Sequence, residues 1–219
     1  MPRVYSDRET LALEEDLAAL RRIGVDQVLA GTLGAVRRAA HLGFSVRGDY
    51  GLGVYNSQTM KELKRLGLIS ATASFELKLA QIRDLSKAVP IELIAYGRLP
   101  LMITENCLVQ NETGCRLDRQ GPCVPEDGPC RCGQPNVLVD RTGAAFPLLP
   151  AYGHRTEIQN SKPLYLADRP EHRRLGLAYA RLRFTTETAE ECVSVVQNYL
   201  DAAPAAGDFT RGLYERGVE

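Results

Sequence analysis

Between Cys107 and Cys132 the chain places five of its six cysteines in one tract, CLVQNETGCRLDRQGPCVPEDGPCRC. Thiolates are soft donors that suit zinc or an iron–sulfur cluster. Five of them at this density point to metal ligation ahead of packing. The spacing is not that of a zinc ribbon, because Cys130 and Cys132 are one residue apart and no paired CxxC motif completes one. Structural zinc, free thiols and a disulfide are the other readings of the tract. Cys192, in TAEECVSVVQNYL, falls on the apolar face of a predicted helix and reads as core.

Glycine, proline and charged residues fill the gaps between the cysteines, so residues 104–136 read as one long loop with no packed helix or strand inside it. Loops of this length in compact domains are functional or disordered. The loop follows PIELIAYGRLPLMIT, an apolar run that reads as a buried strand. A bound metal would order it at the end of a barrel or sheet strand, where active sites lie.

The rest of the composition is that of a soluble globular chain. At 219 residues and 44% hydrophobic it can bury one substantial core, and residues 1–219 read as a single domain. Lys plus Arg equals Asp plus Glu at 27 each, so no global field advertises nucleic acid or an anionic membrane. A local basic patch for RNA is compatible with that balance. No apolar run approaches the roughly 20 residues of a membrane span. MPRVYSDRETLALEED lacks a signal peptide's cationic start and apolar core. The expectation is a cytoplasmic protein, where clustered cysteines are ligands or catalytic groups before they are disulfides.

Short apolar strands alternate with amphipathic helices. Residues 8–23 place Leu13, Leu17 and Leu20 at helical spacing, with Gly24 as the stop. VDQVLAG reads as a buried strand, Leu33 to Leu42 as a helix closed by Gly43, and FSVRGDYGLGVYN as the next strand. SQTMKELKRLG follows as a helix, with Ser57 as N-cap and Gly67 as stop. SATASFEL, PIELIAYG and YARLRF repeat the strand theme, and further helices are predicted around 80–87 and 188–200. His41 and His172, in charged helical contexts, read as surface groups. Strands separated by helices imply a parallel sheet with right-handed crossovers. No GxGxxG fingerprint opens a helix, and polar residues gather after strands: Asp49, Asn56, Glu76, Lys78, Arg98, Arg181 and Arg183. That placement favours a parallel (β/α) barrel of TIM type over an open sheet. Such barrels usually need about 250 residues and eight strands. This chain has the look of an incomplete one, about the C-terminal two-thirds, with the cysteine-rich loop after a late strand.

The tracts GDYGLGVYNS, ATASFELKL, IELIAYGRLPLMITENC, LVDRTGAAFPL, HRTEIQNSKPLYLAD, ARLRFTTE and FTRGLYERGV, in this order, are similar to the collagenase-like peptidases, family 32 of unknown catalytic type. The likeness runs from about residue 24 to the C-terminus. It implies a (β/α) barrel whose first strands are missing, with VYSD as the third. A truncated gene, a partner chain or a homodimer would account for the rest. The family carries a proteolysis label. Other members resemble iron–sulfur proteins that hydroxylate RNA bases or a small aromatic quinone precursor without molecular oxygen, four cysteines holding a four-iron four-sulfur cluster at the barrel mouth. By that resemblance the first cysteine falls on Cys107 and a later one on Cys132. The partner cysteine of a Cys-Gly-x-Pro-Cys pattern is Asn136 here, and the last one falls on His154.

Histidine can replace cysteine on iron, and Cys115, Cys123 or Cys130 can supply the missing thiolate. The expected donor set is therefore Cys107, Cys132 and His154 with one of those three, and zinc on the same donors is the alternative. Glu76, matching an acidic family position, is the expected acid, base or substrate anchor, with an ion pair across the mouth as the plain alternative. Arg98, Arg155 and Arg183 are suited to bidentate contacts with a carboxylate or phosphate, and Asp49 to substrate contact. Asp140–Arg141 reads as a turn. Peptidase chemistry has no GxSxG elbow and no HExxH helix behind it.

Overall fold

The computed structural model describes residues 1–113, 131 and 134–218. Cys115, Cys123, Cys130 and Cys132 lie outside the described residues. In chain order the helices are α1 (Thr10–Arg22), α2 (Leu33–His41), α3 (Ser57–Arg65), α4 (Leu79–Asp84), α5 (Leu108–Thr113) and α6 (Ala189–Asp201). The strands are β1 (Gln27–Ala30), β2 (Ser45–Gly48), β3 (Ser70–Thr72), β4 (Ile91–Gly97), β5 (Pro100–Thr104), β6 (Asn136–Val139), β7 (Ala145–Ala151), β8 (Arg155–Gln159), β9 (Leu164–Tyr165) and β10 (Tyr179–Leu182).

Five strands pair in parallel in the order β1-β2-β3-β4-β10, and β9 adds antiparallel to the end of β4. These five are the apolar runs expected from the sequence. All seven residues of β4 are buried, which suits a central strand covered on both faces. The sheet is curled. Arg47 on β2 sits 4.3 Å from the ring centroid of Tyr179 on β10, although β3 and β4 lie between them. The arrangement is a half-barrel, consistent with an incomplete barrel. Helices α1 to α3 pack Leu13, Leu17, Val36, Ala39, Met60 and Leu63 onto one continuous core.

Beyond Gly97 the chain leaves that sheet and builds a second, antiparallel one in the order β5-β8-β7-β6. This sheet was not expected from the sequence. AFPLLPA and RTEIQ break the apolar pattern with proline or charge, and PLMIT, expected to continue the buried strand before it, pairs with β8 instead and leaves Leu101 and Met102 exposed.

Local differences from the sequence reading have simple causes. Val4 to Asp7 form no strand, and a 3-10 turn covers Asp7–Glu9 instead. Asn56, not Ser57, caps α3, its Oδ1 accepting from Gln58 N at 3.0 Å and Thr59 N at 2.9 Å. Residues 108–113, expected as loop, open with the short helix α5. His172, expected at the surface, is buried in the 3-10 turn Pro170–Arg174. Cys192 is half-buried rather than core, because α6 has no fully buried residue. Leu20 faces outward at the end of α1's stripe. No helix among the described residues is long and apolar enough to cross a membrane.

Candidate functional site

The carboxyl ends of the parallel strands and the face of the antiparallel sheet enclose a cavity of about 620 Å³. Its floor comes from the ends of β1, β2 and β10, at Leu29, Asp49, Tyr50 and Arg183. Its wall comes from β5, β7 and β8 through Ile103, Pro150, Arg155 and Glu157.

A largely buried charge network runs from the floor, where Asp49 and Arg181 line the cavity, into the sheet below. Asp49 caps the turn Tyr50–Leu52, accepting from Tyr50 N at 2.9 Å and from Arg181 Nη1 at 2.8 Å. Arg181 also donates to Thr72 Oγ1 at 3.0 Å and pairs with Glu92. The Thr72 hydroxyl lies 2.9 Å from both Gly48 O and Glu92 Oε1, and Arg47 approaches Glu92 at 3.6 Å. Burying Glu92 in an apolar strand would cost several kcal/mol without such partners (roughly 3–5 for a broken pair). The arrangement holds four strands in one register.

The wall is pinned by two further arginines. Arg183 donates to Arg98 O at 2.7 Å, Gln159 Oε1 at 2.6 Å and Glu157 Oε1 at 3.0 Å. Arg155 is buried and bonds Glu105 through Nε and Nη2, at 2.9 and 2.7 Å, and Glu9 through Nη1 at 2.9 Å. The bonds to Glu105 hold its proton more tightly than usual against the opposing effect of burial, and Glu9 adds to them. Burial opposes ionisation of Glu9, yet the bonds from Arg155 and Ser6 outweigh it and hold that carboxyl below its ordinary range.

Among the expected site residues, Asp49, Arg155 and Arg183 line this cavity. Glu76 and Arg98 do not. Glu76 accepts from the Tyr55 hydroxyl, and Arg98 donates to the carbonyls of Asn160 and Ser161. Cys107 is a buried free thiol just past β5. Its neighbours tie it to the start of β8: Thr104 Oγ1 lies 3.3 Å from Thr156 O, and Leu108 N donates to Thr156 Oγ1 at 3.0 Å. His154 stands two residues before that threonine, half-buried, with a positive φ of 61°. The two described donors of the expected set thus sit on the ends of neighbouring strands. Among the described residues no three donors of His, Cys, Asp or Glu type come together. Asn136, at the other root of the loop, donates to Arg131 O at 2.8 Å and Gln134 O at 2.7 Å.

Glu92, Thr72, Tyr50, Glu157 and Arg3 were missed by sequence reasoning. A lone glutamate inside IELIAYG was the available signal, since a buried charge requires partners. The other four carry no comparable mark in the sequence.

The family model described as peptidase family U32 matches residues 3–137. The chain belongs to peptidase family U32. The matched span of this U32 domain includes Arg3, Asp49, Tyr50 and Cys107, and ends before Arg155, Arg181 and Arg183. Comparison with curated proteins and with solved structures gives no match.

Proposed function

We propose that this U32 domain is an iron–sulfur enzyme that contributes to oxygen-independent hydroxylation of a small aromatic substrate or an RNA base held in the cavity. One observation supports the reading: β5 and β8 line the cavity and also lead to Cys107 and His154. Ile103 and Arg155 on these strands line the cavity, while the ends of the same strands present Cys107 and His154. A buried thiol and an imidazole are donors that fit iron or zinc. Cys132 with one of Cys115, Cys123 and Cys130 would complete the set. The cluster, when bound, supplies electron-transfer capacity.

The chain's own residues orient the substrate. Arg183 fixes Glu157 at the wall, and Arg181 with Asp49 fixes the floor. Glu76 and Arg98 act at a distance in this reading: Arg98 shapes the turn at Asn160 and Ser161, and Glu76 positions Tyr55. The family's peptidase description favours a second reading, proteolysis using the Cys107 thiol.

Anaerobic purification followed by absorption spectroscopy and iron, sulfide and zinc analysis on one sample separates these. Brown protein with stoichiometric iron and sulfide, lost in Cys107→Ala and His154→Ala but retained in Cys192→Ala, is the expected result. Colourless protein carrying zinc would replace the redox reading with a zinc-stabilised, non-catalytic scaffold. Peptide cleavage that survives removal of the cluster would favour the peptidase.

A further inference from the structure

Ion pairing inside the cavity separates one arginine from the rest. Arg155 is matched by Glu9 and Glu105, Arg181 by Asp49 and Glu92, and Arg183 by Glu157. The Met1 ammonium is turned to Leu29 O at 2.7 Å. Arg3 lines the same cavity and has no carboxylate partner among the described residues. Its Nη1 donates instead to the neutral hydroxyl of Tyr50 at 2.8 Å, and its guanidinium lies 5.3 Å from that ring's centroid.

The backbone is shaped to deliver this side chain. Arg3 runs past the ends of β1 and β2 at two glycines. A Cβ on Gly31 would meet Arg3 Cγ at 3.5 Å. A Cβ on Gly51 would stand 2.5 Å from Gly31 O and 3.3 Å from Arg3 Cδ. Only glycine at position 51 leaves this slot open. Tyr50 is itself fixed, its ring 5.4 Å from that of Phe75. Having accepted from Arg3, the Tyr50 hydroxyl has its own proton to donate, and no acceptor for it exists among the described residues. Burial, with the Glu157 charge adding, pushes that phenol up to about 12, so the proton stays in place.

We propose that Arg3 and Tyr50 form the anchor for a single carboxylate on a small substrate with an apolar body. The inference rests on the reading of this cavity as the substrate site and names the substrate's class. A planar guanidinium fork matches a carboxylate. One unmatched arginine balances one negative charge, whereas a phosphate dianion calls for more. Leu29, Ile103, Leu182 and Phe184 supply apolar wall, and the volume falls within the range of small-molecule sites.

The test is calorimetric titration of the purified full chain with phenylacetate, phenylacetamide and inorganic phosphate, with iron and sulfide assayed on the same samples. Phenylacetate is expected to bind saturably, the amide about tenfold or more weakly, and Arg3→Gln to lose about tenfold in affinity for the acid. Tyr50→Phe keeps the ring and removes one donor, for an expected loss of roughly threefold to tenfold. It carries the test if Arg3→Gln fails to fold by circular dichroism. Unchanged phenylacetate affinity in the folded variants, an amide as tight as the acid, or no saturable binding of phenylacetate to wild type overturns the proposal. Phosphate that binds more tightly than phenylacetate in an Arg3-dependent way overturns the carboxylate class. Arg3-dependent phenylacetate binding by protein without a cluster upholds this inference while sinking the redox reading. A stoichiometric cluster beside Arg3-independent binding does the reverse.

Discussion

The two sheets of the domain are held by different forces. In the parallel half-barrel, β4 is buried along its whole length and the core is aliphatic. In the antiparallel sheet, Val137, Leu138 and Val139 on β6 are each about half exposed, at 55, 46 and 58%. Directed polar ties, from Arg155 to Glu9 and Glu105 and from Arg183 to Glu157, hold that sheet in place. Non-directional burial supplies stability, while charge-assisted bonds fix position and geometry. The comparison therefore assigns most of the folding energy to one sheet and the precise aim of the cavity wall and the Cys107 and His154 ends to the other.

The largest expected effect tests the first half of that assignment. Leu93→Ala on β4 should cost about 2–5 kcal/mol in urea unfolding. Next comes the charge network at the floor. Arg181→Met leaves buried Glu92 with the Thr72 hydroxyl and the more distant Arg47 and should cost about 3 kcal/mol, whereas Arg183→Met, whose partner Glu157 is partly solvated, should cost roughly 1 kcal/mol. A reversed order would break the comparison.

Acid should then loosen the two regions in separate windows. Burial lowers the affinity of His172 for a proton, with Arg173 adding and the Arg169 carbonyl opposing. Its contribution is full above the unfolded value near 6.5 and is lost as pH falls through the lower folded value. His172→Gln should flatten the pH dependence of stability below about pH 6.5. Glu9 is held below its ordinary range, so its contribution is present above about pH 4.5 and is lost as pH falls further. Glu9→Gln should flatten only that lower limb. Melts recorded across pH for the two variants check the separation; one shared window would contradict it. The smallest effect belongs to Leu138→Ala, expected within about 0.5 kcal/mol of wild type.

Legibility in the sequence divided along the same line. IELIAYG and VLAG announce buried strands through unbroken apolar runs, and Gly24, Gly43 and Gly67 stop their helices with positive φ. AFPLLPA carries two prolines, which argue against a strand interior. RTEIQ has no alternation that separates a wall strand from a loop. Of the expected residues that line the cavity, Asp49 and Arg183 were conspicuous as polar residues after strands, and Arg155 as an arginine suited to bidentate contacts. Arg3 and Tyr50 were not, because their meeting depends on a slot between two glycines that only the folded backbone creates. Arg98 and Glu76 stood out by type, but the structure turns them to neighbouring backbone and to Tyr55.

The junction at Gly97 bears on the order in which the protein folds. This glycine, at φ +112°, is packed so closely beneath Arg183 O that any Cβ would collide with it, and Arg183 N closes on Tyr96 O at 2.9 Å. The strand that covers this edge of β4 is β10, more than 80 residues later in the chain. Contacts of such high sequence separation form slowly. While the chain is being synthesised, the edge of β4 waits without its parallel neighbour until residue 183 has emerged, and the cavity floor is assembled last. Newly made chains are therefore most exposed to misassociation in the interval between the completion of the first sheet's early strands and the arrival of β10.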